Sequence, residues 1–183
     1  MQNLKVLFLV QSALFAAILC ILSPLAIPIG PIPITLGVFA VMLTGVVLDW
    51  KRASTAVLVY ILLGAIGLPV FSGGNSGPGV IAGPTGGYLW SYLPMVVIIA
   101  GLGGKPRERE LHEDVRALLA CLLSMVALYA LGTFQFTLVA DSTWAHALSV
   151  CVYPFISFDL AKSVCATLLG VRVRRRLRAA NLL

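Results

Sequence analysis

Charge is scarce in this chain. Of its 183 residues only 11% are charged, against 60% hydrophobic, and the mean hydropathy is +1.00. Soluble domains carry about 25% charged residues, so too little polar surface is available to wet a water-soluble exterior, and lipid is the solvent that fits. Potential metal ligands are few and dispersed. His112 falls in a charged segment, His146 near an expected membrane surface, and Cys20, Cys121, Cys151 and Cys165 lie in or beside apolar runs with no CxxC spacing. The cysteines read as buried small hydrophobes, and no metal or cofactor site is expected. GxxxxGK[ST], HExxH and GxSxG are all missing, and no nucleophile–base set is visible. An enzyme is therefore not expected, and any ATP-driven step needs a separate polypeptide.

The net charge of +6 is placed for a membrane rather than for nucleic acid. Twelve of the 13 Lys and Arg fall in short clusters between or beyond apolar runs: Lys5, Lys51 with Arg52, the stretch from Lys105 to Arg116, and Arg172 to Arg178. The intervening loops at 24–33, 69–87 and 140–153 contain no Lys or Arg. The positive-inside rule puts the basic loops in the cytoplasm. The first apolar run is longer than a signal-peptide core and lacks a small-residue cleavage site, so it reads as a retained helix.

Punctuation by proline, glycine and charge divides the chain into one transmembrane domain, 1–183, with spans at about 4–23, 34–48, 53–68, 88–102, 115–139 and 154–171. The fold class expected is all-α integral membrane, a six-transmembrane-helix bundle in the cell membrane with both termini cytoplasmic. Spans two and three, at roughly 15 residues or ~23 Å each, need interfacial extension or local bilayer thinning. An outer loop, 69–87, and a basic C-terminal tail, 172–183, complete the layout. Pro154 suits the first turn of the last span, and 141–152 reads as a short segment at the outer surface. Trp90 and Trp144 near the outer interface and Trp50 near the inner one match aromatic belts. The basic run Arg172 to Arg178 reads as an anchor at the anionic inner leaflet, or as a partner contact.

Asp159 and Lys162 are the only acid and base well inside a span. Three residues apart on a helix, they share a face. One charge at the bilayer centre costs about 2.5–3.5 kcal/mol on insertion scales. Their retention points to a protein-facing binding site about two turns below the outer surface, or else to a self-neutralising pair that pins the bundle. The outer loop carries Asn75 and the run Gly83-Pro84-Thr85-Gly86-Gly87-Tyr88, whose glycines let backbone N–H groups approach a ligand; a flexible connector is the plainer reading. Ala13 and Ala17, four apart in the first span, allow close helix approach, within the chain or with a partner.

Four stretches resemble the BioY family, the substrate-capture subunits of biotin transporters of the energy-coupling-factor type: IPIGPIPITL (27–36), VYILLGAIGLPVF (59–71), GPTGGYL (83–89) and PFxxxDLxK (154–162). The resemblance implies a six-helix subunit that binds biotin near its outer face and works with a membrane coupling subunit and two cytoplasmic ATPase subunits. It places Asp159, Lys162 and Asn75 at biotin-contacting positions, and Ala13 and Ala17 at the motif that meets the coupling subunit. The family often has Gln after PITL; Gly37 stands here. With no basic residue in the outer loops, the ligand's carboxylate is left to loop N–H groups such as those of Gly86 and Gly87, to hydroxyls such as those of Thr85 or Tyr88, or to solvent. Two rivals remain: an ion-coupled permease acting alone, with Asp159 as proton carrier, and a structural or assembly protein whose charged pair only locks helices together.

Overall fold

Helix α1 (Gln2–Leu22) fills the first apolar run and stops before Pro24, which has no N–H to extend it. The computed structural model describes residues 2–28, 32–103 and 110–182, with side chains described from residue 4 onward and outside 110–112. Part of the proline-rich run, most of the charged loop at 105–111 and the side chain of His112 lie outside the described residues. After α1 the chain folds back as a small antiparallel hairpin of β1 (Ala26–Ile27) and β2 (Ile34–Thr35), pairing Ala26 with Thr35 and Ile27 with Ile34.

Helix α2 (Gly37–Val47) is apolar but for Thr44, whose hydroxyl donates to the Ala40 carbonyl at 2.7 Å, and is almost wholly buried. Asp49 then caps α3 (Trp50–Ala65), its carboxylate accepting from the N–H groups of Lys51 at 3.0 Å and Arg52 at 3.2 Å. A 3-10 turn (Ser72–Gly74) and the short α4 (Pro78–Ala82) make up the glycine-rich loop. Helices α5 (Gly86–Gly103) and α6 (Glu110–Val139) follow, then α7 (Trp144–Cys151), and α8 (Tyr153–Ala179) with Pro154 in its first turn.

Small residues set the closest crossing. Helix α5 packs most extensively on α6. Gly87 leaves no room for a Cβ against the Leu131 carbonyl, and Gly132 lies under the Tyr88 ring. Helix α8 shows the membrane-protein pattern most clearly. Phe155, Asp159, Ser163, Ala166, Gly170 and Arg174 are buried on one helical stripe, while Phe158, Leu160, Val164, Leu168 and Leu169 are exposed. An exposed face made of Leu, Val and Phe is one that lipid covers.

The fold departs from expectation at its basic end. The run from Arg172 is not a separate tail: α8 continues unbroken to Ala179. Arg174 is 2% exposed and ties the ends of three helices together. It donates to the Val46 carbonyl of α2 at 2.9 Å, to the Gly103 carbonyl of α5 at 3.0 Å, and to Glu113 of α6 at 2.7 Å. Helix C-termini leave carbonyls unsatisfied, and a guanidinium with five donors answers two of them at once. Glu113 also accepts from Arg175 at 3.0 Å and Arg178 at 3.1 Å. Gln11 of α1 reaches the carbonyl of Leu182 at 2.7 Å, and Ser12 that of Arg52 at 3.3 Å, so the basic end of α8 and the start of α3 both lie against the first half of α1.

Among the described residues, four helical segments are long and apolar enough to cross a membrane: Leu4–Leu22, Gly86–Gly103, Glu113–Val139 and Tyr153–Ala179. Helix α2 has 11 residues and α3 has 16. At 1.5 Å per residue these reach roughly 17 and 24 Å, short of a ~30 Å hydrocarbon core.

Candidate ligand-binding site

A cavity opens at the end of the bundle away from the Arg174 cluster. It holds ≈ 70 Å³ open to the centres of water molecules, within ≈ 660 Å³ of space that includes its open mouth. Its floor is apolar and aromatic. The Tyr60 and Tyr92 rings stack at 6.3 Å, and Phe71 meets Tyr60 edge-on at 5.7 Å, its ring packed against Gly64. Leu89, Leu128 and Phe155 complete the apolar wall.

The charged pair of α8 faces this space. Asp159 and Lys162 both line the cavity, and Lys162 Nζ donates to Asp159 Oδ1 at 2.8 Å. The carboxylate's other oxygen is engaged from α6, where the Tyr129 hydroxyl donates to Oδ2 at 2.9 Å. Each carboxylate oxygen has two lone pairs, so one on each remains for a ligand donor. The ammonium has three protons and spends one on Asp159, leaving donors for a ligand acceptor. Asp159 is 2% exposed, and the pairing is what makes so buried a charge tolerable.

The glycine-rich segment divides. Thr85 and Tyr88 line the cavity, Tyr88 anchored by a 3.1 Å bond to the Cys151 carbonyl at the end of α7. Gly86 and Gly87 are buried in the first turn of α5 and are not among the lining residues. They serve close packing: a Cβ on Gly86 would meet the Ile81 carbonyl, and one on Gly87 the Leu131 carbonyl. Asn75 is exposed and does not line the cavity either. Its amide donates to the Ser72 carbonyl at 2.7 Å and closes the 3-10 turn, which contains Gly73 and Gly74 at φ 67° and 78°. Ser72 does face the cavity, and its Oγ is buried with no partner among the described residues.

Sequence reasoning missed Tyr129, Tyr92, Tyr60, Thr35 and Ser72. The tyrosines on spans look like ordinary apolar positions, and α6 also carries Ser124, Thr133 and Thr137, so a hydroxyl alone does not mark Tyr129. Ala13 and Ala17 lie on the exposed face of α1, away from the cavity. Among the described residues no cluster of His, Cys, Asp or Glu has the makings of a metal site.

A multi-pass helical membrane protein that presents a paired acid and base at the wall of a largely apolar, aromatic cavity has the form of a solute-binding protein. The BioY family model matches residues 1–179, and the chain belongs to the BioY family. It is 37% identical to the biotin transporter BioY2 of Lactococcus lactis subsp. cremoris over 182 residues, 99% of this chain and 97% of that protein. It is 36% identical to the biotin transporter BioY of Thermotoga maritima over 167 residues, 91% of this chain and 95% of that one. Among solved structures it resembles the S-component for biotin from an ECF-type ABC transporter, with a TM-score of 0.81 and 29% identity over 96% of this chain and 94% of that one.

Proposed function

We propose that this chain is the biotin-capture subunit of a vitamin importer: it takes biotin from the outer face of the cell membrane into the cavity beside Asp159 and does no covalent chemistry on it. The observation that carries the reading is the Tyr129–Asp159–Lys162 array at the cavity wall. A ureido ring presents two N–H donors flanking a carbonyl acceptor. Asp159 offers the acceptor and Lys162 the donor for such a group, while the aromatic floor suits a thioether ring and an alkyl chain. Thr85 supplies a hydroxyl for the ligand's distal carboxylate, Tyr88, whose one proton goes to the Cys151 carbonyl, walls the site beside it, and Asn75 serves by shaping the turn that carries Ser72. Membership of a family whose named relatives are biotin transporters supports the ligand.

The chain spans the membrane six times in this reading, with α2 and α3 as short spans and both termini in the cytoplasm. The basic ends of α8 and α3 gathered against the first half of α1, and the lack of Lys or Arg in the loops on the cavity side, support that orientation. Import energy comes from a membrane coupling subunit and two ATPase subunits. Ala13 and Ala17 lie on the exposed face of α1, where a partner helix finds a shallow surface.

Titration of the purified protein in detergent should show one biotin bound per chain. Asp159→Asn and Lys162→Ala should each weaken binding by at least tenfold. Unchanged binding in both variants overturns the site, and uptake that survives ATP depletion but collapses with the proton gradient overturns the ATPase partnership.

A further inference from the structure

Gln135 is a polar side chain in the outer half of α6, and nothing in the ligand site uses it. Its amide Nε2 donates to two backbone carbonyls of the glycine-rich loop, Ile81 at 2.9 Å and Gly83 at 2.8 Å. It thus ties two points of the segment between α4 and α5 directly to α6. Beyond it the segment rests on the partly buried Val80 and Ile81 and on its own turn bonds, from Gly83 N–H to Val80 and from Gly86 N–H to Gly83. Helix α4 is five residues long, buries none of them and has no side-chain cap. Its last carbonyls have no partner within so short a helix.

Gly86 and Gly87 make the contact possible. A Cβ on Gly86 would lie 2.5 Å from Gln135 Nε2, and one on Gly87 would lie 2.9 Å from Gln135 Cβ. The paired glycines open a gap through which Gln135 reaches the carbonyls beyond. The same segment carries two pieces of cavity wall, Val80 on α4 and Thr85 just before α5. Release of Gln135 would free the wall on both sides of its two anchor points.

We infer that Gln135 is a positioning residue that latches the glycine-rich wall of the cavity to α6 and so sets how fast a bound ligand leaves. The inference rests on the biotin-capture reading for the identity of the ligand, but the latch itself is a property of the free protein. A segment tied to the next helix by two side-chain hydrogen bonds, with no fully buried residue in its short helix, opens locally at far lower cost than the bundle unfolds.

Gln135→Leu keeps the volume and removes both donors. Biotin dissociation from this variant should accelerate by about 10-fold or more, on the loss of two hydrogen bonds, while association changes by less than about threefold. In the ligand-free protein, amide hydrogen exchange at 78–86 should rise against wild type, with α1, α3 and α8 unchanged. Gln135→Glu, acceptor-only when ionised, covers the case in which the leucine variant does not fold. Unaltered exchange at 78–86, or faster exchange throughout with the dissociation rate unmoved, overturns the latch. Failure of the wild-type protein to bind biotin sinks the functional reading instead, and leaves the exchange measurement to decide the latch.

Discussion

Tyr129 of α6 donates its hydroxyl to Oδ2 of Asp159 on α8 at 2.9 Å, across the wall of the cavity. Together with Lys162 on Oδ1 at 2.8 Å, this fixes the carboxylate plane from both sides. A buried acceptor held by two protein donors does not rotate to find a ligand; it is already oriented, and the ordering cost is met in folding rather than in binding.

Removal of that hydroxyl tests the orientation. In Tyr129→Phe the ring keeps its place and Oδ2 loses its donor. Hydrogen bonds to charged groups contribute about 1.5–3 kcal/mol, so biotin affinity should fall by about 10-fold or more, and the ligand-free protein should melt at a lower temperature. Calorimetric titration reads the first and thermal unfolding in detergent the second. Tighter binding by the variant would mean that Tyr129 competes with the ligand for Oδ2 instead of orienting it.

The ion pair separates stability from function. Loss of one member of a buried pair strands the other charge and costs about 3–5 kcal/mol, whereas replacement of both by apolar groups is often neutral. Lys162→Met alone should therefore lower the melting temperature clearly. Asp159→Leu with Lys162→Met should recover much of that loss while biotin binding stays absent. A double variant that binds biotin would show the pair to be a helix lock and nothing more.

That pair was legible in the sequence because charge is so rare inside the apolar runs that any exception stands out. The loops without Lys or Arg were legible for the same reason. Tyr129 was not, since the sequence carries no sign that position 129 of α6 meets position 159 of α8; that is decided by the close α5–α6 crossing at Gly87 and Gly132, and by how α8 settles beside it. The hairpin of two-residue strands was hidden too, because pairs so short leave no periodic trace. Arg174 was misread for a different reason. A basic run after a span looks like an interfacial anchor, yet the spacing from Asp159 through Ser163, Ala166 and Gly170 to Arg174 continues the buried stripe of α8, and the guanidinium is drawn in by the bare carbonyls of α2 and α5.

The Arg174 cluster yields a prediction at the end remote from the ligand. Arg174→Met removes the donors to Val46, Gly103 and Glu113 together, leaving two buried carbonyls and a carboxylate short of partners. Unpaired buried acceptors cost about 1–3 kcal/mol each. The variant should melt well below wild type, and Arg174→Lys should rescue it only in part, since an ammonium lacks the planar fork. Biotin affinity, measured below the melting temperature, should change by less than about threefold. A large loss of affinity in folded protein would show that the Arg174 end is coupled to the cavity.

Gly37 supplies a test of how this cavity is filled. A Cβ placed there would lie 2.7 Å from the Tyr92 hydroxyl, 3.0 Å from Ser23 Oγ and 3.2 Å from Thr35 Oγ1. All three of those residues line the cavity. The position is therefore closed by neighbouring hydroxyls, not left vacant by the small residue. Tyr92 is the tip that must give way, and its ring is stacked on Tyr60, so the displacement passes into the aromatic floor. Gly37→Ala should weaken biotin binding by about 3- to 10-fold, because overpacking a filled site costs about 1–3 kcal/mol and part of that strain falls on the floor. Gly37→Gln should weaken it further, and Gly37→Gln with Tyr92→Phe should regain some affinity by removing the clashing hydroxyl. Were Gly37→Gln alone to bind more tightly than wild type, the hydroxyl group would not be filling that space in solution, and the glutamine would be entering a cavity larger than the one described.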